Sequence, residues 1–151
     1  MLAKSLMFKE FPLRELNKLG HVAGEETHPL GSVLFREGEL GDKLYVIALG
    51  SVRIIKQNHH GVEEDVALLA TGSSFGEMAV VNEKHVRGAT LVTQEPSAFL
   101  TFARHDIDRL AETDHVLGLH FHKALTTALA RRLRATSLDA SFYRELARQK
   151  Y

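Results

Sequence analysis

The sequence predicts an α+β fold: a β-rich middle of barrel or jelly-roll type held between helical ends. Three observations carry this. From about Gly31 to Ala103 the chain is dense in glycine and in β-branched and aromatic residues set in short runs, the texture of short strands separated by turns. From His105 onward it changes to helical spacing, and the stretch from about Val116 to Ser137 has no proline and a single glycine, Gly118. Ahead of both, FKEFPLRELNKLG at Phe8–Gly20 reads as a helix that stops at Gly20. With 151 residues, the chain is expected to form one domain, residues 1–151. Its parts are an N-terminal helix within 1–20, a β region over about 21–104 and C-terminal helices over 105–151.

The elements follow in order. KLYVIALGSVRIIK, Lys43 to Lys56, alternates as a strand with a kink or turn at Gly50. NHHG at Asn58–Gly61 is a hairpin signal, and DVALLA at Asp65–Ala70 is the return strand. ATLVT and AFLTF supply two more short strands. HDIDRLAETD is a short helix, and the final long helix sets Phe121, Leu125, Leu129, Leu133 and Thr136 at helical spacing on one mostly apolar face.

Composition excludes several classes of function. Lys+Arg and Asp+Glu balance at 19 each, so no basic excess points to nucleic acid, and any anion recognition must be focal. There is no cysteine, hence no disulfide and no thiol chemistry. No segment has signal-peptide character or approaches the roughly 18 apolar residues of a membrane span, so a cytoplasmic protein without a membrane partner is expected. Among the 9 histidines, His59-His60 lie in the hairpin loop and His120 and His122 stand two apart on a helix, which is not metal-ligand spacing. No metal, no cofactor and no catalytic residue is expected; Gly-x-Ser-x-Gly is also absent.

The stretch SFGEMAVVNEKHVRGAT, Ser74 to Thr90, concentrates the chemistry. Gly76 and Glu77 open a short helical turn whose free N–H groups favour an anion. Glu77 is suited to accept hydrogen bonds from sugar hydroxyls, Ala79 is small enough to admit a phosphate, and Arg87 offers it a charge-assisted contact. Acid for ribose beside base for phosphate specifies a nucleotide. The plainer reading is a surface ion pair between Glu77 and Arg87.

FGEMAVV followed by RGAT resembles the phosphate-binding cassette of the cyclic nucleotide-binding domain family, close to F-G-E-[LM]-A-L-[LIV], a short loop and R-[AST]-A-T. Gly31–Ile54 is similar to the family's glycine-punctuated strands, with matching Gly31, Gly38, Asp42, Tyr45 and Gly50, and the likeness extends from Phe8 to Ser137. It implies an eight-stranded β-roll of the jelly-roll type with an N-terminal helix and two C-terminal helices, the last one long. It also implies a receptor for cyclic AMP or cyclic GMP rather than an enzyme, signalling through movement of its last helix. By the same resemblance Glu77 takes the ribose 2′-hydroxyl and Arg87 the cyclic phosphate. Phe75, Gly76, Met78 and Ala79 complete the cassette, and Gly88 and Ala89 lie near the base. Gly88 stands where members that prefer cyclic GMP often have threonine, which favours cyclic AMP.

The ten-residue step from Glu77 to Arg87 is one longer than is commonest and equals that of catabolite activator-type members. ARRLRATS, Ala130–Ser137, resembles their ARRLQVTS, where Thr-Ser meets the adenine amino group, the serine coming from the partner subunit of a dimer. Thr136 and Ser137 are therefore candidate adenine contacts, with Arg132 near the pocket. Between the strands and ARRL the last helix holds about four more residues than usual, close to one helical turn. Leu125, Leu129 and Leu133 either form a homodimer seam or cover the β-roll. SLDASFYRELARQKY is too short for a three-helix DNA reader, so no DNA binding is expected of this chain. Two alternatives stay open: a β-roll scaffold or dimerisation domain with a vestigial pocket, and the sensor fragment of a larger transcription regulator or effector.

Overall fold

Four consecutive residues of strand β3 (Lys43–Leu49), Leu44 to Ile47, are buried, which a strand sustains only when both faces are covered. Tyr45 and Ile47 face the space between two sheets with Phe35, Val52, Phe75, Leu91 and Phe99. Leu44 and Val46 face the other way, into a cluster with Phe8, Phe102, Leu19, Ile107, Phe121 and Leu125. One sheet thus separates the interior of the roll from a second core beneath the helices. The computed structural model describes residues 2–149, and the side chains of 136–143, 146, 147 and 149 lie outside the described residues.

The first sheet has the order β1 (Gly24–His28), β8 (Ser97–Ala103), β3, β6 (Ser74–Phe75). The second has the order β2 (Val33–Phe35), β7 (Thr90–Thr93), β4 (Ser51–Gln57), β5 (Glu63–Ala70). All pairings are antiparallel, so the expected eight-stranded α+β roll is the fold observed. Gly50 separates β3 from β4, and Asn58–Gly61 closes the next hairpin, with the Asn58 N–H donating to Val62 O at 2.9 Å.

The helices are α1 (Leu13–Val22), α2 (Met78–Val81), α3 (Arg104–Thr113) and α4 (His115–Gln149). Three expectations are corrected. Gly20 does not stop α1, which runs on to Val22; burial of Leu19 against the core outweighs the roughly 1 kcal/mol cost of a glycine in a helix. Nor does the helix include Phe8. The chain turns there so that the Phe8 ring is wholly buried, and regular helix begins only after Pro12. The last helix extends to Gln149 rather than ending near Ser137, because no proline or glycine interrupts SLDASFYRELARQ. Of its apolar face, Phe121 and Leu125 are each 1 % exposed, whereas Leu133 is 68 % exposed. The face meets the core at Phe121 and Leu125 and is exposed at Leu133. No helix among the described residues is long and apolar enough to cross a membrane.

Asp114 ties α1 to the start of α4. Its Oδ1 accepts the Leu117 N–H at 3.1 Å, and its Oδ2 accepts from Lys18 Nζ at 2.6 Å and from Arg14 Nη1 at 3.4 Å. The Lys18 hydrogen bond, and then the Leu117 N–H, pull its carboxyl down to about 2. The folded value lies below the roughly 3.9 of an unfolded aspartate. Its stabilisation is therefore complete above about pH 4 and disappears as pH falls through about 2. Urea midpoints measured across this range should fall for the wild type and fall less steeply for Asp114→Asn.

Candidate functional site

Gly76 turns the chain from β6 into α2, and only glycine fits. Its φ is +80°, and a Cβ would sit 2.7 Å from Arg87 Nη1 and 2.8 Å from Lys43 O. The turn drives the next residue inward, leaving Glu77 1 % exposed. Glu77 Oε1 accepts from Ser74 Oγ at 3.0 Å, and Oε2 accepts from Arg132 Nη1 at 2.6 Å. Arg132 Nη2 also donates to the Ser74 carbonyl. A residue near the middle of α4 thus reaches across to a carboxylate buried in the roll.

Arg87 is held separately. A short backbone clamp fixes its main chain: the Arg87 N–H donates to Glu39 O at 2.7 Å, Gly38 N–H to Arg87 O at 2.9 Å and Gly41 N–H to His85 O at 3.0 Å. The side chain is 4 % exposed, its Cζ lies 4.0 Å from the Phe35 ring centre, and Nη2 donates to Lys43 O at 3.0 Å. Nε and Nη1 have no hydrogen-bond partner among the described residues. Room for the guanidinium depends on Gly41, where a Cβ would come within 2.1 Å of Arg87 Nε. Glu77 and Arg87 are therefore not a surface ion pair. Each is buried, and each has its own partners.

Electrostatics follow from this burial. Desolvation lowers the Arg87 pKa against the opposing pull of Tyr45, Asp42, Glu39 and Glu77. Tyr45 is pushed up to about 12, by burial first and then by Glu26, so its phenol is neutral and does not balance the guanidinium. His85 is lowered by desolvation and by Arg87. The result is a buried cation with two donor nitrogens to spare, next to a carboxylate with acceptor sites to spare. Such a pair is chemically matched to a ligand that carries both an anion and a hydroxyl.

The other sequence-chosen residues fall out as follows. Phe75 is stacked on Tyr45 inside the roll, centroids 4.9 Å apart. Met78 is 43 % exposed, while Ala79 is fully buried with its N–H already donating to Gly76 O at 3.1 Å. Gly88 is exposed and Ala89 packs against the inner core. Thr136 and Ser137 lie in α4, with their side chains outside the described residues. Sequence reasoning missed Gly41, the Phe35 ring and Arg104. Arg104 Nη1 donates to Glu83 O at 3.0 Å and reaches Ala79 O and Asn82 O at 3.4 and 3.5 Å, closing the C-terminal end of α2. A glycine two residues before Lys43 was visible; its closeness to Arg87 depends on pairing across 46 residues of chain. No group of three or more metal-ligating side chains occurs among the described residues.

A sheet-wrapped cation stands beside a turn-borne carboxylate, and sequence comparison gives the chain a family. The chain belongs to the cyclic nucleotide-binding domain family, whose model matches residues 25–114. It is 38 % identical over 112 residues to the cyclic AMP receptor protein of Thermus thermophilus, covering 74 % of this chain and 50 % of that protein. The crystal structure of the Thermus thermophilus catabolite activator protein superposes with a TM-score of 0.78 at 31 % identity, over 90 % of this chain and 62 % of that one. A cyclic nucleotide-binding domain from Methylobacillus flagellatus superposes at 0.81 with 26 % identity, over 89 % and 75 % of the two chains. The chain therefore spans about half the length of the curated relative.

Gly41→Ala is expected to unseat Arg87 while leaving the fold intact, at an overpacking cost of about 1–3 kcal/mol. The check is the Arg87 Nε–H resonance in an NMR spectrum of arginine side chains; it should shift strongly, and an unmoved signal contradicts this packing.

Proposed function

We propose that the chain is a receptor module, not an enzyme, that binds a cyclic nucleotide and prefers cyclic AMP. The observation that carries this is Arg87, a buried guanidinium whose Nε and Nη1 lack partners at the edge of the Gly76 turn. In this reading the cyclic phosphate takes those two donors, and Glu77 accepts the ribose 2′-hydroxyl on a remaining lone pair. Gly88 and Ala89 border the base, with Thr136 and Ser137 offered to adenine from α4. Residues 1–151 act as one unit in which α4 closes over the ligand, a population shift driven by the ligand's tighter hold on the closed packing. Two chains pairing along α4 would bring a partner's serine to the base. Support for cyclic AMP comes from the absence of a hydroxyl at position 88 and from the likeness to the Thermus receptor.

Titration calorimetry with cyclic AMP and with cyclic GMP, on protein unfolded and refolded to strip carried-over ligand, tests the reading. Cyclic AMP should bind more tightly; no heat from either would favour a scaffold with a vestigial pocket. Arg87→Ala should weaken cyclic AMP by about 2–5 kcal/mol, and an unchanged dissociation constant rejects the phosphate assignment. A Cβ at Gly88 meets nothing within 4 Å. Gly88→Thr should therefore fold normally and move selectivity toward cyclic GMP by about 1 kcal/mol, the net worth of one hydrogen bond. The ratio of the two dissociation constants reads this directly.

A further inference from the structure

A cavity of about 650 Å³ lies between the N-terminal segment and α4, within the size range of small-molecule sites. Its walls include Met7 and Phe11 from the N-terminal segment, Leu69 from β5, and Ala124 and Ala128 from α4. Those alanines stand four apart on one helix face, and their short side chains leave the space open. The cavity meets the cassette at Ser74 and Glu77, with Arg132 of α4 beside them, and Arg87 is not part of its wall.

Its charge is one-sided. At the inner end Glu77 and Arg132 are paired with each other, and His120 is paired with Glu15. Lys9, Lys123 and Arg131 also line it and are exposed. Among the described residues these three form no ion pair. Against them stands one unpaired carboxylate, Glu10. Apolar walls under a cationic rim complement a molecule with an apolar body and one negative end. Exposed lysines, lacking a buried anchoring group, hold the charge while the walls hold the body.

We propose that this cavity is a second ligand site, for a monomeric amphipathic carboxylate. The apolar chain lies along Met7, Phe11, Leu69 and the two alanines, and the carboxylate meets the Lys9–Lys123–Arg131 rim. The test is calorimetric titration of the full chain with decanoate, without cyclic nucleotide, so that its outcome is independent of the titration described above. One decanoate should bind per chain. Ala128→Phe, which fills the cavity, should weaken it at least about tenfold. Lys123→Glu, an exposed change that leaves the fold alone, should weaken it about fivefold. Circular-dichroism melts confirm that both variants are folded. Absence of saturable binding at millimolar decanoate, or an affinity unchanged by either variant, overturns the proposal. Binding to phosphatidylglycerol vesicles without binding of monomeric decanoate overturns it as well.

Discussion

Arg87 carries its charge into a buried position, 4 % exposed, and much of the surrounding architecture is arranged around that fact. Desolvating a guanidinium costs several kcal/mol. The Phe35 ring returns about 0.5–2 kcal/mol of it by cation–π attraction, the Lys43 carbonyl accepts one of its N–H groups, and Asp42, Glu39 and Glu77 supply a favourable field. Two donors are left over. An anion placed there would meet donors that the protein itself leaves unused. Those donors are held in place, because the clamp at Gly38–Gly41 already fixes the Arg87 main chain.

Three arginines converge on the short α2 turn from three elements, and their environments divide their work. Arg104, at the start of α3, satisfies carbonyls at the far end of α2 and so fixes the cassette to the helical layer. Arg87 faces the near end from the loop before β7. Arg132 comes from α4 with its side chain 46 % exposed, against a Glu77 side chain 1 % exposed. That asymmetry matters. The arginine loses little hydration in making the pair, whereas the carboxylate has already lost nearly all of its own and keeps only Ser74 if α4 withdraws.

Legibility in the sequence followed the range of the interactions. The β3–β4 hairpin and the Asn58–Gly61 turn were readable because alternation and turn residues are local signals. The cassette was readable because its chemistry is packed into 17 residues, Ser74 to Thr90. β1 was not: GEETH has no apolar alternation, and it is a strand because β8 pairs with it in register from Gly24↔Thr101 to His28↔Ser97. Gly20 misled because a local stop signal lost to the burial of Leu19. The apolar face of α4 was right in period and only half right in use, since Phe121 and Leu125 meet the core and Leu133 does not. Arg132 could be brought near the pocket by its place in ARRLRATS, but that it would pair with Glu77 rather than with a ligand depends on a contact 55 residues apart.

That contact decides how α4 and the nucleotide site depend on each other. An ionised carboxylate offers about four acceptor sites, and Glu77 uses one for Ser74 and one for Arg132. A hydroxyl donor can join without displacing either. Ligand and helix then meet on the same buried carboxylate without competing for an acceptor site. Because binding free energies are reciprocal, a ligand that gains from the presence of Arg132 must in turn strengthen the seating of α4. In the proposed receptor a ligand hydroxyl on this carboxylate would add to the hold that Arg132 already gives α4.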